Sequence, residues 1–189
     1  LLARTDKHFV KRYEEETNLR CHLLIDSSTS MRFPTIQHAN QKEWNKLKFS
    51  LYAAASTMEL MRRQRDAVGI STFDDKINLH TKAGSSQEHI HFLYSELEKL
   101  LESASSEEKH SSDVASILHE IADRIHRRSL VVIFSDMLDN QKTDELFSAL
   151  QHLRYNKHEV ILFHVTDHSL EREFKFSNRP HKFVDLESG

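Results

Sequence analysis

Apolar residues along this chain follow two rhythms that alternate from one end to the other. Short, nearly unbroken apolar runs fall at residues 20–25, 67–73, 130–134 and 159–165. The first three of these runs predict buried strands, and the fourth predicts a further strand. Between them the spacing lengthens to helical period. Trp44, Leu47, Leu51, Ala54, Met58 and Met61 form one stripe, within a helix expected over 41–65. Ile90, Leu93, Leu97, Leu100 and Leu101 form a second, and Val114, Ile117, Leu118, Ile121 and Ile125 a third. Leu146, Phe147, Leu150 and Leu153 mark a fourth, over 143–154. Asp74 and Asp75 read as a tight turn, so 67–73 and 76–80 should pair as a hairpin. Two weaker strands are expected, at 7–16 through Phe9, Val10 and Tyr13, and at 182–185. Residues 26–34 and 103–113 are polar and read as loops.

Strands that alternate with helices and are apolar on both faces imply an α/β fold. Its central sheet should be mostly parallel, with helices on both faces and an antiparallel hairpin at one edge. With 189 residues the chain suits one core better than two, and residues 1–189 are read as a single domain. Three glycines and two prolines speak against a long flexible linker or a turn-dense all-β fold.

Charge narrows the function classes. A net charge of −3 gives no basic field, so nucleic acid is a poor candidate partner. No apolar run reaches the length of a membrane span, and no membrane contact is expected of this chain. Cys21 is the lone cysteine, in an apolar strand, and reads as an inert buried thiol. The compartment is then reducing, and a cytoplasmic location is expected. The fourteen histidines scatter along the chain and read as surface and interface residues.

In a sheet of this kind, ligands bind beyond the carboxyl ends of the strands, near the switch in strand order. Two buried strands end there in a carboxylate beside hydroxyls. One is Ile25-Asp26-Ser27-Ser28-Thr29-Ser30, and the other Phe134-Ser135-Asp136. A third segment, Ser111-Ser112-Asp113, brings hydroxyls to the start of a helix. Hard cations such as Mg²⁺ or Mn²⁺ take oxygen ligands and keep several waters. Asp26, Ser28 and Ser30 alternate in a loop that can curl round one ion, and Asp136 would add a second carboxylate. The opposing reading of Asp-x-Ser-x-Ser is a turn whose side chains cap a helix. Asp136 is expected just beyond the packed part of its strand, in a site exposed among loops at the sheet edge.

These residues match a known pattern. Asp26-x-Ser28-x-Ser30 resembles the metal-ion-dependent adhesion site of von Willebrand factor A domains. The chain more closely resembles the bacterial domain-of-unknown-function-58 (DUF58) family, which carries a similar fold. Ala3-Arg4-Thr5, Phe9-Val10-Lys11-Arg12-Tyr13, Met31-Arg32-Phe33-Pro34, Arg65-Asp66-Ala67-Val68-Gly69 and Ser135-Asp136-Met137-Leu138-Asp139 carry that likeness, as does His164-Val165-Thr166-Asp167. The family's usual Arg-Arg-Ile-Asp-Trp lead-in would precede Leu1, so the chain is expected to be a piece of a longer protein.

The resemblance implies a metal site of Asp26, Ser28, Ser30, Ser112 and Asp136, holding Mg²⁺ or Mn²⁺. Ser112 stands where the wider superfamily carries Thr; it lacks the methyl group that restrains the rotamer, and Ser111 could replace it. The resemblance further implies that an acidic side chain of a partner protein completes the metal's coordination. Members of the family are linked to MoxR-type AAA+ ATPases, and such an ATPase is the expected partner. No catalysis is expected. Two other readings stand beside this one. An Asp after a buried strand with a later Ser-Asp also resembles the haloacid-dehalogenase phosphatases, but Ser28 stands where those carry an acid. A metal-free structural domain is the third.

Overall fold

The computed structural model describes residues 19–34, 44–103, 114–137 and 143–176. The strands expected at 7–16 and 182–185, the loop at 104–113 and its Ser111 and Ser112 lie outside the described residues.

Five strands form one sheet: β1 (Arg20–Asp26), β2 (Ala67–Phe73), β3 (Ile77–His80), β4 (Leu130–Ser135) and β5 (Glu159–His164). The order is β3-β2-β1-β4-β5. β1 lies parallel to both β2 and β4, and β4 parallel to β5. β3 alone runs antiparallel, paired to β2 as the hairpin pattern predicts. The chain therefore moves one way across the sheet from β1 to β3, then returns to continue on the other side of β1. β1 and β4 flank that reversal.

Four helices cover the sheet: α1 (Lys46–Gln64), α2 (Gln87–Ser103), α3 (Val114–Arg124) and α4 (Thr143–Tyr155). Alternation along the strands sorts them into two layers. Cys21, Leu23 and Ile25 of β1 face a core with Leu47, Leu51, Ala54, Met58 and Met61 of α1 and Ile90, Leu93 and Leu97 of α2. Leu24 faces the opposite core, with Ile117, Leu118 and Ile121 of α3 and Ala149 and Leu153 of α4. Each fully buried Leu or Ile adds roughly 1.5–3 kcal/mol relative to exposure. The two stripes on α1 and α3 thus account for the packing of both layers.

One local expectation is corrected. Trp44 does not join the α1 stripe; it precedes the helix, is 55% exposed, and packs against Tyr52. The helix begins only at Lys46 because Asn45 caps it, its side chain accepting from the Lys48 N–H. Residues 26–34 are turn-like as expected, with Ser30–Arg32 forming a 3₁₀ turn. The strand expected at 159–165 is present as β5, with Ile161, Leu162 and Phe163 40–46% exposed. The reason is position. β5 has a neighbouring strand among the described residues only on the β4 side.

Candidate functional site

Asp26 is the last residue of β1 and is fully buried. The parallel register sets Ile25 beside Phe134, which carries Ser135, the end of β4, alongside Asp26. The two strand ends are bonded through side chains: the Ser135 hydroxyl donates to Asp26 Oδ2 at 2.6 Å. The Ser28 N–H donates to Asp26 Oδ1 at 3.0 Å. This bond bends the chain back at once after the strand, and so turns Ser28 and Ser30 inward. Their hydroxyls lie 3.0 Å apart, and both side chains are buried. Ser27 is held the other way, its hydroxyl and N–H both donating to Phe73 O.

Asp136 follows Ser135 and is buried, 3% exposed, not beyond the packed strand as the sequence suggests. The reason is a residue the sequence reading passed over. Lys46, at the first turn of α1, is itself buried and donates to Asp136 Oδ2 at 2.8 Å. Its ammonium also reaches Glu171 Oε1 at 2.6 Å. Glu171 belongs to a short π-helical turn, His168–Arg172, and its Oε2 accepts from the Asp167 N–H. The Asp136 carbonyl is in contact with His164 Nε2 at 2.9 Å. The site thus lies between the two strands at the switch in strand order rather than at the sheet edge.

Among the described residues, Asp26 accepts hydrogen bonds from Ser28 and Ser135 and pairs with no cation. Burial pushes its carboxyl up to about 6; the Ser135 and Ser28 hydrogen bonds oppose that shift, and the nearby Asp136 charge adds to it. Among the described residues the cluster therefore holds three carboxylates, Asp26, Asp136 and Glu171, with the Lys46 ammonium bonded to two of them. A dication would balance the excess negative charge. Two carboxylates with two hydroxyls are also the oxygen donors that Mg²⁺ or Mn²⁺ prefer, so the residues present fit such an ion. Among the described residues, no group of three or more His, Cys, Asp or Glu side chains is gathered as a metal cluster. The donor set here depends on serine hydroxyls.

The structure thus brings together four of the five residues the sequence singles out, Asp26, Ser28, Ser30 and Asp136. The fifth, Ser112, lies outside the described residues. None of Ser135, Lys46 and Glu171 was read from the sequence as a site residue. Lys46 did leave a signal, because a cation in the first turn of a helix opposes the helix dipole and calls for compensating carboxylates.

Comparison with known proteins settles the kinship. The family described as "Protein of unknown function DUF58" matches residues 1–186. The chain belongs to that DUF58 family. Among curated proteins no match is found. Two solved structures are similar in fold. One is the conserved hypothetical protein BatB from Bacteroides thetaiotaomicron, at 14% identity and a TM-score of 0.50, covering 76% of this chain and 65% of that one. The other is an aerotolerance-related membrane protein from Bacteroides fragilis, at 15% identity and a TM-score of 0.51, covering 78% of this chain and 67% of that one. This DUF58 chain therefore spans about two thirds of each neighbour's length. At such identities the likeness concerns the fold alone, a mostly parallel sheet flanked by helices.

Proposed function

We propose that this DUF58 domain is a metal-dependent adaptor that binds an acidic side chain of a partner protein. Asp26, Ser28, Ser30 and Asp136 would hold Mg²⁺ or Mn²⁺, with Ser112 as a further hydroxyl ligand. The observation that carries the reading is the pairing of two buried carboxylates and two inward hydroxyls at the strand switch, where Asp26 is matched by no cation among the described residues. Burying an ionised carboxylate costs several kcal/mol unless a positive charge faces it. A dication would supply that charge, and neutral serine ligands would leave it able to accept a carboxylate from outside. The family resemblance supports a MoxR-type AAA+ ATPase as the partner class. The cytoplasm is the proposed location, in keeping with Cys21, a buried thiol pushed up to about 12 mainly by burial and further by Asp66. One similar structure is described as a membrane protein, whereas no helix among the described residues here is long and apolar enough to cross a membrane.

Calorimetric titration with Mn²⁺ tests the site. The wild-type domain is expected to bind one ion, and Asp26→Ala to lose that binding. Equal heats from both proteins reject the metal site. The proposal is of binding and not of catalysis, because Ser28, two residues beyond Asp26, offers no acid and its hydroxyl is engaged with Ser30. A panel of phosphomonoesters with Mg²⁺ is expected to show no turnover, and turnover abolished by Asp26→Asn would reverse that ranking.

A further inference from the structure

His119 on α3 and His152 on α4 face each other where the two helices pack. Their Nδ1 atoms are 3.1 Å apart, and the ring centroids are 5.3 Å apart. One turn beyond His119, Asp123 Oδ1 lies 3.3 Å from His152 Nε2. Both histidines are half-buried, so solvent reaches them while the rings stay constrained.

Two facing Nδ1 atoms cannot both keep their proton at this distance. Asp123 decides which of them gives it up. A carboxylate beside Nε2 favours the tautomer of His152 that keeps its hydrogen there, which leaves Nδ1 as a lone pair. His119 Nδ1–H is then the donor of the pair. In histidine metal sites a carboxylate commonly orients the imidazole from its far nitrogen, and Asp123 lies on that side of His152 at ion-pair distance. The spacing also fits. At metal–nitrogen distances of about 2.0–2.1 Å, two nitrogens on one ion are separated by roughly 2.9–3.4 Å, from octahedral to tetrahedral angles. Binding one ion would require each ring to turn about its Cβ–Cγ bond until both lone pairs meet at one point, and His119 to carry its proton on Nε2.

We propose that His119 and His152 form a transition-metal site that joins α3 to α4, with Asp123 as the residue that orients His152. Imidazole nitrogens select ions of the Zn²⁺, Ni²⁺ and Cu²⁺ class, and water would fill the remaining positions. Mg²⁺ is excluded by the same preference, so this site is chemically separate from the oxygen cluster at Asp26 and Asp136. Only two protein ligands are present, which is consistent with the absence of any gathered group of three among the described residues. The consequence is mechanical. An ion held here ties the helix that follows residues 104–113 to the helix that precedes β5.

The test is calorimetric titration of the full chain with Ni²⁺ and with Zn²⁺, in millimolar Mg²⁺, together with thermal unfolding. Wild type is expected to bind one equivalent and to unfold at a higher temperature when loaded. His119→Gln and His152→Gln should each remove that equivalent, with circular dichroism showing that the fold is retained. Asp123→Asn keeps both imidazoles and is expected to weaken binding by about tenfold or more, as loss of an orienting partner does. Asp26→Ala should leave the Ni²⁺ equivalent unchanged, which separates this site from the proposed Mg²⁺ site. Absence of a stoichiometric equivalent in wild type overturns the proposal. So does an equivalent of undiminished affinity in His119→Gln, which would assign the ion to other histidines of the chain.

Discussion

His22 shows how tightly single residues are constrained in this sheet. It lies on the central strand β1, 3% exposed, with Nε2 2.9 Å from the Ser71 hydroxyl and its ring stacked on His80. The ring fits because position 69 is glycine. A Cβ there would stand 2.8 Å from His22 Nδ1 and 2.9 Å from the Thr81 carbonyl. Burial pushes the imidazole down to about 3, with His80 and His158 adding to the effect. The folded state thus holds His22 neutral where the unfolded chain protonates it. The stability this lends is complete above the ordinary histidine value of about 6.5 and is lost as pH falls from there towards 3. His80 and His158, also lowered by burial, act with the same sign. Asp26 acts with the opposite sign: its raised value favours the fold below its ordinary 3.8 and withdraws that support as pH rises to about 6. Wild type alone would blur the two, so the expected result is a difference. Between pH 7 and pH 5, urea unfolding should show wild type losing about 2 kcal/mol more stability than His22→Gln. Parallel pH profiles would mean that His22 is not held neutral.

At the scale of elements, the strands were the most legible part of the molecule. β1, β2, β4 and β5 were each marked by an unbroken apolar run, and the hairpin to β3 by Asp74-Asp75. The α1 stripe was equally plain, because every apolar position counted for it beyond Trp44 is buried, whereas Phe147, counted in the α4 stripe, is 59% exposed. Boundaries were less legible, since a cap is a matter of one hydrogen bond: Asn45, and not the first apolar residue, opens α1. What the pattern could not give was the surroundings of each face. Ile161, Leu162 and Phe163 are as apolar as the central strands, yet they are partly exposed because their strand lies at the β5 end of the sheet order. The site divides in the same way. Asp26, Ser28, Ser30 and Asp136 were visible because they follow buried strands directly. Lys46 and Glu171 were not, because they come from the start of a helix and from a turn beyond β5, which only the folded chain brings to Asp136. A long-range ion pair leaves no period in a sequence.

At the scale of the whole molecule, electrostatics decides how the proposed adaptor would hold a partner. The net charge of −3 gives little long-range attraction for an acidic protein. The site itself repels one, since Asp26, Asp136 and Glu171 outnumber Lys46. Only a bound dication would cancel that local charge, so the metal would act as the switch between repulsion and a direct carboxylate contact. Such a contact is short and shielded from bulk ions, whereas attraction between exposed charges fades beyond a Debye length of about 8 Å at physiological salt. Proteins captured from lysate on the immobilised domain in Mg²⁺ should therefore be released by EDTA. Once a released protein is purified, its binding is expected to weaken only slightly when salt is raised moderately. Asp26→Asn is the variant of choice, because its near-identical shape spares the fold. Asp136→Ala would be a poorer one, since it leaves the buried Lys46 ammonium with Glu171 as its remaining bonded carboxylate and is expected to cost several kcal/mol. A partner that binds equally well in EDTA would remove the metal bridge from the mechanism, while the fold and the DUF58 membership would stand.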